Sequence, residues 1–90
     1  MSHTVKEKSK LLARVRRLRG QVDAIERALE AELGCGEVLN LVASIRGAVT
    51  GLTAELIEDH IRDHIAGAAN PRERAEGADE LIEVIRTYVK

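Results

Sequence analysis

The segment DHIRDHI, Asp59 to Ile65, carries His60 and His64 four residues apart; the chain's third histidine is His3 and its one cysteine is Cys35. Imidazoles at i and i+4 share a helix face and can converge on one ion, and a thiolate adds a soft ligand. Such a nitrogen and sulfur set suits Co(II), Ni(II), Zn(II) or Cu(I) and not Mg(II) or Ca(II), which take oxygen ligands. Each residue alone has a plainer reading. Two helical histidines ordinarily mark a solvated face, here with Glu58, Asp59 and Asp63 pairing with Arg62, and a lone cysteine ordinarily fills a turn or a core. HIRDH lacks the glutamate of the HExxH zinc proteases, and the chain has no Ser/His/Asp set and no glycine-rich phosphate loop. These residues point to binding and not to an enzyme.

Long helices must position them. Leu11, Val15, Leu18, Val22, Ile25 and Leu29 are spaced 4,3,4,3,4, as are Val38, Val42, Ile45, Val49, Leu52 and Leu56. That spacing is the seam of a helix lying along another helix. ELGCGE between the seams supplies two glycines, so the pair reads as a long antiparallel helical hairpin with Cys35 at or just after its turn. GAANPRERAEG, with the chain's one proline, reads as a loop, and ADELIEVIRTYVK as a short C-terminal helix. The expected helices cover about 4–32, 36–66 and 77–89 of a single all-α domain, 1–90. Gly47, Ala48 and Gly51 inside the second helix suggest the close approach of another backbone, since interior glycine costs about 1 kcal/mol against alanine.

Ninety residues with 44 % hydrophobic but 1 % aromatic side chains give a small aliphatic core, and a hairpin this long leaves a face bare. A homo-oligomer is expected, either an antiparallel dimer or a dimer of dimers. The aromatic content argues against stacking on single-stranded nucleic acid. MSHTVKEKSK has no apolar run, no later stretch approaches a membrane span, and a cytoplasmic protein with no membrane partner is expected.

The net charge of −1 hides an asymmetry. Residues 1–20 hold seven bases and one acid, a net of +6, and the other seventy hold seven bases and fourteen acids, a net of −7. Lys10, Arg14, Arg17 and Gln21 follow helical spacing on one exposed face, with Arg16 and Arg19 flanking it. Multiplied by a symmetric oligomer, this basic head suits duplex phosphates. No short recognition helix follows a tight turn, so a helix-turn-helix is absent, and contact would rest on the backbone, a few arginines at guanine and duplex shape.

Hairpin geometry also constrains the metal candidates. Folding about residues 33 and 34 brings position 3 level with position 64, whereas Cys35 lies roughly 37 Å from His60 along one helix. Two antiparallel hairpins remove the conflict: Cys35 of one protomer then lies beside His60, His64 and His3 of the other.

RVRRLRGQVDAIERALE, then Cys35, then LVASIRGAVTGLTAELIEDHI resembles the small all-helical bacterial repressors of the CsoR/RcnR/FrmR family over essentially the whole chain. The resemblance implies a three-helix protomer, a homotetramer, binding of double-stranded operator DNA and its release by an inducer, with no protein substrate. The copper branch has a second cysteine where His64 stands. The formaldehyde branch, in which Cys35 and the N-terminal amine would be crosslinked, has proline where Ser2 stands and glutamate where His64 stands. The nickel and cobalt branch matches at His3, Cys35, His60 and His64. The expectation is a Co(II)- or Ni(II)-responsive repressor of a metal efflux system, with Zn(II) as a further fit and a formaldehyde-responsive repressor as the alternative. Lys10, Arg14, Arg16, Arg17 and Arg19 are the expected DNA contacts, with Arg46 of RGAVTGL as an additional one.

Overall fold

The structure is a computed structural model that describes residues 8–89. Helix α1 spans Lys8–Glu30 and α2 spans Cys35–His60; a π-helical turn follows at Ile61–Ala66, and α3 spans Pro71–Tyr88. The chain is all-α, a three-helix protomer, with no strand among the described residues. By internal packing, residues 8–53 and residues 54–89 form two compact units. His3 and the N-terminal amine lie outside the described residues.

In the first unit, α1 and the first part of α2 form the hairpin. The turn is closed by Leu33 N donating to Ala28 O at 3.0 Å and Glu32 N donating to Leu29 O at 3.1 Å. This pair of bonds is a Schellman cap, and it places a residue in the left-handed region just past the helix. That residue is Glu32, with φ 54°. The two glycines expected to make the turn follow it. The Gly34 carbonyl accepts from Glu37 N at 3.0 Å and Val38 N at 3.3 Å, which makes Cys35 the first residue of α2.

Each seam divides into two heptad rows. On α1, Leu11 is buried and Leu18 and Ile25 are half-buried, whereas Val15, Val22 and Leu29 are 39, 54 and 60 % exposed. On α2, Val38, Ile45 and Leu52 are half-buried, whereas Val42 and Val49 are 46 and 45 % exposed. A seam of this spacing can bury both rows against one partner helix, but within the hairpin Val15, Val22 and Leu29 of α1 and Val42 and Val49 of α2 stay largely open. Among the described residues, the buried hydrophobic side chains are Leu11 and Ala28. The described residues bury little apolar surface within either unit.

The expected backbone approach at the α2 glycines is not what this unit contains. Among the described residues, nothing beyond the helix's own backbone comes within 4 Å of a β-carbon built on Gly47, and at Gly51 the neighbour is the Arg14 guanidinium, 3.3 Å away. A flexible side chain, not a backbone, fills the space that glycine leaves there.

In the second unit α2 does not continue to residue 66 as a regular helix. Gly67 N donates to Arg62 O at 2.8 Å, a bond spanning five residues that widens the last turn. Helix α3 begins six residues earlier than the expected 77. Asn70 is its N-cap, with φ −154° and ψ 167°, and its side chain accepts from Glu73 N at 2.9 Å. Pro71 occupies the first helical position, where a missing N–H costs nothing and a fixed φ favours the helix. The proline that suggested a break starts the helix.

Candidate metal site and basic face

His60 is the last residue of α2 and His64 lies in the π-helical turn. Their rings are 5.0 Å apart between centroids and inclined by 46°. Both are half-buried. In an α-helix, residues four apart are offset by about 40° around the axis, given 3.6 residues per turn. Widening the turn reduces that offset and stacks position 64 more directly over position 60.

His60 Nε2 lies 2.8 Å from the Gly77 carbonyl. A carbonyl only accepts, so Nε2 is the donor, and in the neutral ring Nδ1 is then the nitrogen with the lone pair. Metal-binding imidazoles commonly have this arrangement, with one nitrogen donating to an oxygen and the other turned to the ion. Arg62 pairs with Glu58 and stands 3.9 Å from Asp59 Oδ1, the local pairing that a plain reading of the segment expects. Asp59 Oδ2 is buried without a hydrogen-bond partner. Asp63, His64, Glu73, Glu76 and Glu80 contribute to the wall of a cleft of about 610 Å³. Arg62 lines the same cleft and Arg72 stands 3.6 Å from Glu76, so part of the charge on these four carboxylates is offset.

Cys35 is exposed at the other end of α2. Among the described residues no three His, Cys, Asp or Glu side chains are grouped to hold a metal ion. The structure brings together His60 and His64; Cys35 is placed in the first unit, and His3 lies outside the described residues. As a donor set, paired imidazoles with one prepared by a carbonyl fit a borderline transition-metal ion that takes nitrogen and sulfur.

The basic head also divides. Lys10, Arg16, Arg17 and Arg19 are exposed on α1, and Arg46 is exposed on α2. Arg14 is half-buried with its guanidinium over Gly51, and Gln21 donates to Ser44 Oγ at 2.9 Å. The expected exposed face of Lys10, Arg14, Arg17 and Gln21 is therefore corrected: Arg14 and Gln21, seven residues apart, turn toward α2. They fall on the row of α1 that also faces its neighbour.

Sequence reasoning missed Gly77, Asn70 and Arg74, whose Nε donates to Ile65 O at 3.3 Å. The Asn-Pro-x-Glu pattern before the helix was the available signal for Asn70, and a glycine inside a helix-forming run was the signal for Gly77.

Residues 7–87 match the family described as metal-sensitive transcriptional repressor. An uncharacterised protein in the bioA 5′ region of Serratia marcescens is 50 % identical over an alignment of 91 positions that covers all of both chains. The transcriptional repressor RcnR of Salmonella paratyphi B is 40 % identical over 90 residues, again all of both. Among solved structures, a glutamate-to-histidine variant of the formaldehyde-responsive regulator FrmR from Salmonella enterica serovar Typhimurium is similar, with a TM-score of 0.84 and 42 % identity. The match covers 93 % of this chain and 96 % of that one.

Proposed function

The chain belongs to the metal-sensitive transcriptional repressor family, and we propose that within it the protein is a Co(II)- or Ni(II)-responsive repressor that holds operator DNA when metal-free and releases it when metal binds. Family membership makes it a DNA-binding regulator and not an enzyme; the inducer and the residues are the proposal. The carrying observation is the His60 and His64 ring pair, 5.0 Å apart at the end of the helix that begins with Cys35. Thiol chemistry has no use for a second imidazole, whereas an ion does.

His60, His64 and His3 of one protomer and Cys35 of another would hold the ion, which supplies a crosslink between chains when bound. His60 meets it through Nδ1, held in that tautomer by Gly77. In the metal-free homotetramer Arg16, Arg17 and Arg19, with Lys10 and Arg46, lie along duplex phosphates in the cytoplasm, while Arg14, turned toward α2, braces that face from behind. The bare row Val15, Val22 and Leu29 supports an assembly, because a second copy offers the same row in return. Crosslinking favours an arrangement whose basic surfaces no longer match the duplex. Ion and DNA then oppose each other reciprocally, with a coupling of about 1–3 kcal/mol. Release would derepress an efflux system.

A formaldehyde-responsive reading has one observation in its favour, the exposed Cys35 thiol. The two separate in one experiment. Fluorescence anisotropy of an operator-like duplex is titrated with Co(II), Ni(II), Zn(II), Cu(I) and formaldehyde, for the wild type, Cys35→Ala and His64→Ala. The metal reading expects Co(II) and Ni(II) to release the duplex and both variants to abolish the response. Release by formaldehyde that survives His64→Ala, with Co(II) and Ni(II) inert, sinks it.

A further inference from the structure

We infer that Gly77 is a positioning residue for the metal site: its carbonyl fixes the tautomer of His60, and its missing side chain lets α3 come close enough to do so. The inference rests on the metal reading above for its consequence, though its geometry stands alone. Gly77 is the buried residue of α3. No glycine among the described residues has a positive φ, so the backbone conformation there does not call for glycine. Next to proline, glycine is the poorest helix former, and a mid-helix glycine needs another reason.

The reason is contact with the turn that carries the histidines. A β-carbon on Gly77 would run into the His64 carbonyl oxygen and stand 3.1 Å from the His64 β-carbon. Side-chain atoms of flexible residues can move aside; a carbonyl fixed in a helical turn cannot. Two backbones therefore touch at residue 77 and position 64. That contact brings the Gly77 oxygen within 2.8 Å of His60 Nε2. A carbonyl oxygen has two lone pairs, so it accepts the imidazole N–H alongside its own helix bond. One turn earlier on α3, Arg74 Nε donates to Ile65 O at 3.3 Å. Positions 74 and 77 lie on one face of α3 and grip the turn at two points.

The chemistry follows from the tautomer. An imidazole binds a cation only through an unprotonated nitrogen, and a ring free to exchange its proton presents the right nitrogen part of the time. With Nε2–H tied to Gly77, the lone pair stays on Nδ1. Outer-shell partners of this kind are worth about 10–100-fold in metal affinity.

The test uses the full chain in two measurements. Long-range ¹H–¹⁵N correlation spectra of the metal-free wild type, above neutral pH, should show His60 protonated at Nε2. Gly77→Ala pushes α3 off the turn and should make the His60 tautomers mix. It should also weaken Co(II) and Ni(II) binding by about 10–100-fold, with helicity and metal-free duplex affinity kept within about twofold. Arg74→Ala, which loosens the grip without a clash, should give a smaller loss of the same sign and stands in if Gly77→Ala does not fold. A wild-type His60 that is protonated at Nδ1 or mixed overturns the inference, as does a folded Gly77→Ala chain that binds ions like the wild type. If the wild type itself ignores Co(II) and Ni(II), the functional reading fails, and the tautomer spectrum alone decides whether Gly77 orients His60.

Discussion

Replacing Val22 by aspartate should take the proposed assembly apart while leaving each hairpin helical. Val22 sits in the middle of the outward row of α1 and is 54 % exposed in the single chain. Full burial of a valine is worth about 1.5 kcal/mol or a little more, so a partner that covers the remaining half gains about 0.8–1 kcal/mol. Two-fold symmetry places the residue twice in an isologous interface. Loss of both copies costs about 2 kcal/mol, about a 30-fold rise in the dissociation constant. The carboxylate adds its own desolvation, several kcal/mol per buried ion, which carries the effect beyond any micromolar assembly. Val22→Ala lacks that charge and should weaken association by less than about 30-fold. Sedimentation velocity across a dilution series distinguishes the three chains. Ion binding should fall with assembly in Val22→Asp, although every proposed ligand is intact. A Val22→Asp chain that sediments like the wild type, or a wild type that is monomeric throughout, refutes the reasoning.

Glu32 holds φ 54° without the freedom of glycine. The left-handed cost of roughly 1–2 kcal/mol exceeds the unfolded-chain entropy that glycine adds, about 0.4–1 kcal/mol. Glu32→Gly should therefore stabilise the protein by about 0.5–1 kcal/mol, read as a higher urea midpoint with an unchanged slope. Asn70→Ala removes the side-chain acceptor of Glu73 N and should cost about 1 kcal/mol, with faster amide exchange confined to the first turn of α3. For Arg17→Ala, duplex affinity should fall about equally across sequences. The slope of log affinity against log salt should shrink by about 1 for each arginine that met a phosphate; an unchanged slope removes Arg17 from the interface.

The hairpin was legible because a 4,3,4,3,4 seam over six positions has few other readings, and both helices lie where their seams lie. Its turn was less legible. Gly34 and Gly36 drew the turn to themselves, but the cap is set by which carbonyls the chain must satisfy after Glu30, and that rule put Glu32 in the left-handed position. Pro71 misled in the same way, since proline breaks a helix interior and favours a first turn, and only Asn70 before it decides between them. The histidine pair was visible as spacing. The π-helical turn that carries His64 was not, because no residue type in IRDHIA marks a widened turn. Among the basic residues, helical periodicity grouped Arg14 with Arg17, but Arg14 packs over Gly51 while Arg17 stays exposed.

Cys35 and His60 are the first and last residues of one 26-residue α-helix, which spans about 37 Å between them at 1.5 Å per residue. Ligands of one ion lie a few ångströms apart, and an unbroken helix cannot fold back to join its ends. If thiolate and imidazoles serve one ion, they come from different chains, and two dead chains must be able to repair each other. Cys35→Ala keeps its histidines, and a His60→Ala/His64→Ala chain keeps its cysteine. Equal amounts, mixed and allowed to exchange, should form hybrid dimers in about half of cases, each with one intact site where the wild type has two. The mixture should bind about one quarter of the wild-type complement of Co(II), with the wild-type spectrum and affinity, while each variant alone binds none in that mode. Complementation fails if the ligand set is closed within one chain, and it also fails if Cys35 is not a ligand. The second case is recognised because Cys35→Ala alone then keeps the wild-type spectrum.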